Sequence, residues 1–161
     1  MGMKGRTATV LTVSDGVSTG SRDDLSGEAL AAMLSAEGYA VIRDLVPDEP
    51  DQITVAIERA SKESALLVTT GGTGFGPRDV TPEATLSVLD REAPGLVQAM
   101  VAAGLESTPM AALSRARAGT VGSCLVVNVP GSPQGATESL GAIIEVLPHA
   151  LALLAGESTH H

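Results

Sequence analysis

One cysteine, one phenylalanine, one tyrosine and no tryptophan occur in 161 residues. The single thiol, Cys124, excludes an intrachain disulfide and points to a reducing, cytoplasmic setting; inside the apolar run Cys124-Leu125-Val126-Val127 it reads as packing rather than as a nucleophile. With Phe75 and Tyr39 the only aromatics, no platform for stacking nucleic-acid bases can be assembled. Positive charge is also scarce. Ten Lys and Arg stand against nineteen Asp and Glu, a formal net charge of −9, and such a field repels polyanions and anionic membranes. Neither nucleic acid nor membrane is an expected partner. No stretch approaches the roughly 20 apolar residues that span a bilayer, and Met1-Gly2-Met3-Lys4-Gly5-Arg6 leads into strand-like sequence instead of a signal-peptide core. The closing His160-His161 has the form of a tag remnant, so 159–161 are set aside as tag or tail.

What remains is a length suited to one domain, 1–161, able to bury roughly two-thirds of its unfolded surface without staples. Segments rich in β-branched residues alternate with helical ones, the βαβα order of a mainly parallel sheet covered on both faces. Strands are expected at 7–14, 40–46, 65–69, 114–121 and 124–129. Helices are expected at 26–37, after Pro47-Asp48-Glu49-Pro50 in a segment carrying Ile53, Val55, Ile57 and Ala60, from an N-capping Thr81 with Pro82 through Asp90, and at 94–105. A final helix over 134–154 should be kinked or divided at Pro148, since proline removes a backbone donor.

Four polar or glycine-rich segments each follow an expected strand: Ser14-Asp15-Gly16, Pro47-Asp48-Glu49, Thr70 to Asp79, and Pro130-Gly131-Ser132-Pro133. In open parallel α/β sheets the ligand crevice lies outside the carboxyl ends of the strands, so these segments should converge; ordinary loops would coincide there too. The loop Thr70-Gly71-Gly72-Thr73-Gly74-Phe75-Gly76-Pro77-Arg78-Asp79 lets backbone N–H groups approach phosphate oxygens. It lacks the Gly-Lys-Ser/Thr ending of a P-loop and the spacing of a Rossmann turn. Asp79 either neutralises the following helix terminus or, with Asp15 and Asp48, holds Mg2+ beside a bound phosphate. Arg78 and Arg115 are read as phosphate partners in preference to surface ion pairs. His149, on an apolar helix, is left unassigned.

The segments Thr69-Thr70-Gly71-Gly72-Thr73-Gly74, Pro77-Arg78-Asp79-Val80-Thr81-Pro82-Glu83-Ala84, Leu113-Ser114-Arg115 and Asn128-Val129-Pro130-Gly131-Ser132-Pro133 closely resemble the molybdopterin adenylyltransferase family of molybdenum-cofactor biosynthesis. The resemblance spans nearly the whole chain, including Val13-Ser14-Asp15 and Val46-Pro47-Asp48-Glu49, and extends to the G-domain of gephyrin-type homologues. It implies a three-layer α/β/α, molybdopterin-binding-domain-like fold, usually a homotrimer, that uses Mg2+ to transfer AMP from ATP to the terminal phosphate of molybdopterin and releases pyrophosphate. Carried over by position, Asp48 and Asp79 are the catalytic and metal-binding pair. Gly71, Gly72, Thr73, Gly74, Ser114, Asn128, Pro130, Gly131, Ser132 and Pro133 are pterin and phosphate contacts. Asp15 matches the motif, though the Ser14-Asp15 pair equally suits a turn cap. The Gly72-Thr73-Gly74 loop and Arg78-Asp79 depart from the Gly-Leu-Gly-Pro-Thr pattern of competence-damage-type proteins.

Phosphoryl-type transfer needs positioning and charge neutralisation more than a nucleophile, so the lack of a Ser/His or Cys/His pair is no objection. The product is expected to pass to a separate molybdate-insertion protein. The alternative is a non-catalytic molybdopterin-binding or carrier protein of the same pathway, separated from the first reading by magnesium-dependent pyrophosphate release. A nucleotide hydrolase is a third reading and would require a water-activating base.

Overall fold

The computed structural model describes residues 6–158; the N-terminal Met1–Gly5 and 159–161, with the histidine pair, lie outside the described residues. The chain runs β1 (Thr7–Val13), α1 (Asp15–Ser18), α2 (Leu25–Ala36), β2 (Ala40–Val46), α3 (Pro50–Glu63), β3 (Leu66–Thr70), α4 (Thr81–Leu86) and β4 (Arg91–Glu92). It continues through α5 (Pro94–Ser107), a 3-10 turn (Pro109–Leu113), β5 (Ala118–Val121), β6 (Cys124–Val129), α6 (Pro133–Ile143) and α7 (Leu147–Leu154). One six-stranded sheet results, in the order β2-β1-β3-β6-β5-β4. β2, β1, β3 and β6 are mutually parallel, and β5 and β4 close that edge antiparallel.

Strand alternation divides the core between the two faces. Ala8, Val10, Leu66, Val68, Leu125 and Val127 pack on one face with Leu30 and Leu34 of α2, Met100 of α5, Leu140 and Ile143 of α6, and Leu147 and Leu151 of α7. Leu11, Val13, Leu67, Cys124 and Val126 point to the other, against Ile53, Ala56, Ile57 and Ala60 of α3 and Ala84 of α4. Fully burying one such Leu or Ile contributes about 1.5–3 kcal/mol. The Cys124 thiol, fully buried, is pushed up to about 12 by desolvation, which removes it from chemistry.

Several boundaries differ from the sequence expectations. Thr81 is not the N-cap of its helix: Val80 precedes the first turn, and the buried Thr81 sits inside it with Pro82. That helix ends at Leu86 instead of Asp90, because the chain turns to join the sheet; the Asp90 and Ala93 N–H groups donate to the Thr120 and Ala118 carbonyls at 2.7 Å. The resulting β4 is two residues long, too short for any periodicity. The strand expected over 114–121 begins only at Ala118. The last helix is divided, with α6 and α7 bent by 66°. Pro148 lies in the first turn of α7, where its missing N–H has no partner to lose. Among the described residues no single helix is long and apolar enough to cross a membrane. The bent α6–α7 pair reaches the length, but its Leu140, Ile143, Leu147 and Leu151 are buried in the core.

Candidate active site

Parallel register aligns the strand ends: Val13 stands beside Val46, Thr12 beside Thr70, and Thr70 beside Val129. The four polar segments therefore leave the sheet along one edge. Two turns bind the first pair of loops. Ser14 Oγ accepts from the Val17 N–H and starts α1, so the capping alternative holds for Ser14. Asp15 does something else: its Oδ1 accepts from the Asp48 N–H at 3.0 Å, and its own N–H donates to Asp48 Oδ2 at 2.9 Å.

The glycine loop is held open by specific contacts. Gly71 and Gly72 adopt φ of +105° and +69°, a left-handed region that penalises side chains. Asp79 Oδ2 accepts from the Gly76 N–H at 2.9 Å. Arg115 braces the loop from outside: its Nε donates to the Gly74 carbonyl and one terminal nitrogen to the Asp79 carbonyl, both at 2.7 Å, while the other pairs with Glu83 at 2.6 Å. Its guanidinium also lies 5.8 Å from the centroid of the exposed Phe75 ring.

Two adjoining cavities open on this edge. The first, about 510 Å3, has an apolar wall from α5 and the 3-10 turn, including Val97, Met100, Val101, Met110 and Leu113. Its opposite wall includes Thr73, Gly74, Ser114, Asn128 and Pro130. The second, about 630 Å3, is lined by Ser14, Asp24, Ser26, Asp48, Gly71 and Pro133 among others. Gly72, Asp79, Gly131 and Ser132 border both. Gly131 packs close to Gly71, so a side chain there would crowd the Gly71 Cα at 3.3 Å, and Ser132 Oγ caps α6 by accepting from the Gly135 N–H.

Three expected ligand contacts are engaged with the protein itself. Arg78 donates to Asp15 at 2.7 and 3.1 Å and to Glu49 at 2.8 Å, an exposed ion-pair cluster. Arg115 is consumed by the loop it braces. Neither lines either of these two cavities. Asn128 is fully buried; its amide nitrogen donates to Thr69 and Thr85 hydroxyls at 2.8 and 3.0 Å, and its oxygen accepts from the Arg117 N–H at 3.0 Å. It fastens β6 to β3 and α4 beneath the first cavity. Sequence reading missed the α5 wall and the turn bearing Arg22 and Asp24. The run Ser21-Arg22-Asp23-Asp24 was its one available signal, a polar cluster just after the first strand.

Electrostatics separates the carboxylates. The Arg78 guanidinium, with the Asp48 N–H, holds Asp15 below its ordinary value of 3.8. Asp48 is raised, first by burial and further by the negative charges of Asp15 and Asp79, which outweigh the Asp15 N–H and Arg78. Among the described residues no three His, Cys, Asp or Glu side chains are grouped to cage a metal. Mg2+ does not require such a cage: it takes one or two carboxylates and completes its shell with water and phosphate oxygens. The Asp48–Asp79 pair and its excess negative charge suit that chemistry.

The family model described as "Probable molybdopterin binding domain" matches residues 9–149. The chain belongs to this family. Within the molybdopterin-binding family, it is 38% identical over 152 residues to the molybdopterin adenylyltransferase of Helicobacter pylori, covering 91% of this chain and 86% of that protein. It is 40% identical to the molybdenum cofactor synthesis protein cinnamon of Drosophila melanogaster, over 94% of this chain but 26% of that one. The chain spans about a quarter to a half of the first curated relatives it matches. The crystal structure of the molybdopterin biosynthesis enzyme MoaB of Thermus thermophilus superposes with a TM-score of 0.87 at 47% identity, covering 94% of this chain and 98% of that one. The three-layer arrangement expected from the motifs is thus the family's fold.

Proposed function

We propose that this chain is a molybdopterin adenylyltransferase of molybdenum-cofactor biosynthesis, joining AMP from ATP to the terminal phosphate of molybdopterin. A phosphate oxygen of the pterin attacks the α-phosphorus of ATP, the bond to the β-phosphate breaks, and pyrophosphate leaves. The observation that carries the reading is the pair of adjoining cavities with a common wall at Gly72, Asp79, Gly131 and Ser132. Two substrates that exchange a group need two compartments in contact, with the reacting atoms held at the boundary.

The apolar first cavity suits the flat pterin, with Thr73, Gly74, Ser114 and Pro130 along its polar side. The acidic second cavity suits the metal-bound triphosphate, with Asp48 and Asp79 as the carboxylates that would hold Mg2+. The ion would supply neutralisation of the phosphate charge that a chain of net charge −9 otherwise repels. Glycine backbone at 71, 72 and 131 allows close approach of phosphates. Asn128 and Arg115 support the reaction by rigidity, holding the floor and the glycine loop in place. A homotrimer, cytoplasmic placement and hand-over to a molybdate-insertion protein complete the proposal. Exposed Leu105, Met110 and Leu113 beside the first cavity are consistent with a further surface being covered there.

The test is pyrophosphate release by the purified protein with Mg-ATP, with and without molybdopterin, alongside Asp79→Ala. Release that requires pterin and falls at least roughly a hundredfold in the variant is expected. Pterin binding without release would return the protein to the carrier reading; an active, folded Asp79→Ala would remove the metal role.

A further inference from the structure

The boundary between the two cavities has a fifth member besides Gly72, Asp79, Gly131 and Ser132, and it is Arg22. Of the five it alone carries positive charge. The glycines offer only backbone, Asp79 is an acid, and the Ser132 hydroxyl already accepts from the Gly135 N–H.

The other arginines near the site are committed. Arg78 is bound to Asp15 and Glu49, Arg115 to Glu83 and two loop carbonyls, and Arg43 to Asp24 at 2.7 Å. Among the described residues the Arg22 guanidinium enters no hydrogen bond or ion pair, whereas its main chain is fastened. The Arg22 N–H donates to the Gly16 carbonyl at 3.2 Å, its side chain passes Gly16, and two residues on Asp24 caps α2 through the Gly27 N–H. An anchored backbone thus presents a free head.

A lone exposed arginine means little by itself. Its position gives it meaning: the one cation on the wall where groups from two anionic substrates meet, in a chain whose net charge opposes both. A planar guanidinium can donate to two phosphate oxygens at once and stays charged at any working pH.

We propose that Arg22 is the substrate-contacting cation of this site, donating to the phosphate oxygens that meet between the two cavities. It takes the part that sequence reading gave to Arg78 and Arg115. The assignment to a transfer step rests on the adenylyltransferase reading; the phosphate contact is separable from it.

The experiment compares wild type with Arg22→Ala, Arg22→Lys and Arg91→Ala, the last removing one positive charge from the distant edge strand β4. Calorimetry measures binding of inorganic pyrophosphate and Mg-ATP, and steady-state assays give kcat and KM for both substrates. Arg22→Ala is expected to weaken pyrophosphate binding and kcat/KM by roughly tenfold to a hundredfold at unchanged melting temperature. Arg22→Lys should recover part of the loss, and Arg91→Ala should behave as wild type. Wild-type pyrophosphate affinity and kcat/KM in Arg22→Ala would overturn the proposal, as would an equal loss in Arg91→Ala, which would assign the effect to bulk charge. If wild type releases no pyrophosphate from ATP, the transfer reading fails, and the calorimetry still decides the phosphate contact: loss in Arg22→Ala supports it, no loss overturns it.

Discussion

Asp15 and Asp48 hold each other by exchanged main-chain hydrogen bonds, each N–H donating to the other's carboxylate at 2.9 to 3.0 Å. The exchange couples the loop after β1 to the loop after β2, so the Asp48 carboxylate is aimed by the backbone of a residue 33 positions away. It also explains why the two acids diverge in character: Arg78 neutralises Asp15, while Asp48 is left with burial and like charge.

Asp15→Asn keeps an oxygen for the Asp48 N–H and gives up the charge opposite Arg78; Asp15→Ala gives up both. Positioning of Asp48 therefore predicts that the Asn variant retains most of its kcat/KM and that the Ala variant loses roughly tenfold or more. Steady-state pyrophosphate release checks this; both variants keep the Asp15 N–H bond to the Asp48 carboxylate, so equal activities would mean that the bond from the Asp48 N–H to the Asp15 side chain does not position Asp48.

Gly71→Ala should be costly for two separate reasons. Its φ of +105° disfavours a side chain, and an added Cβ would run into the Val13 carbonyl oxygen. Backbone strain alone costs about 1–3 kcal/mol. Gly20, with φ of +79° and open space around it, is the control. Urea unfolding should find Gly71→Ala clearly less stable than Gly20→Ala, the difference being the collision.

Thr81→Val is predicted to raise stability. The Thr81 hydroxyl is buried without a hydrogen-bond partner, wedged beside Gly72. A desolvated hydroxyl left unpaired costs about 1–3 kcal/mol, and valine fills nearly the same volume without it. A lower unfolding midpoint for the variant would show that the hydroxyl is satisfied in solution.

Acid should erase the difference between wild type and Glu83→Gln. Arg115 holds Glu83 below its ordinary value of 4.5. A depressed carboxylate contributes stability that is fully present above that value and disappears as pH falls through the lower, folded-state one. The pair is largely exposed, so its contribution is under about 1 kcal/mol. Melting curves should separate the two proteins slightly at pH 7 and converge as pH falls below the lowered folded-state value; a gap that persists once Glu83 is protonated in both states would mean that it acts through something other than its charge.

The strands that carry the site were readable because β1, β3 and β6 are runs of β-branched and aliphatic residues ended by Gly, Pro or polar pairs. β4 was not, because Arg91 and Glu92 are ordinary polar residues whose extended form comes only from pairing with Gly119 and Thr120. The glycine loop, Asp48 and Asp79 could be picked out by residue type and by place after a strand. The fate of Arg115 could not, since its partners Gly74, Asp79 and Glu83 lie 32 to 41 positions earlier.

By itself the sequence determined the α/β class, the parallel edge on which four loops gather, the residue types those loops carry and the family. These depend on local pattern, where period, turn residues and glycine content act within a few positions. Only the tertiary structure decided which arginine is free. Arg78, Arg115 and Arg22 are chemically alike along the chain; they differ in which carboxylates and carbonyls folding brings within about 3 Å, a condition set by strand register and loop packing across the whole edge of the sheet.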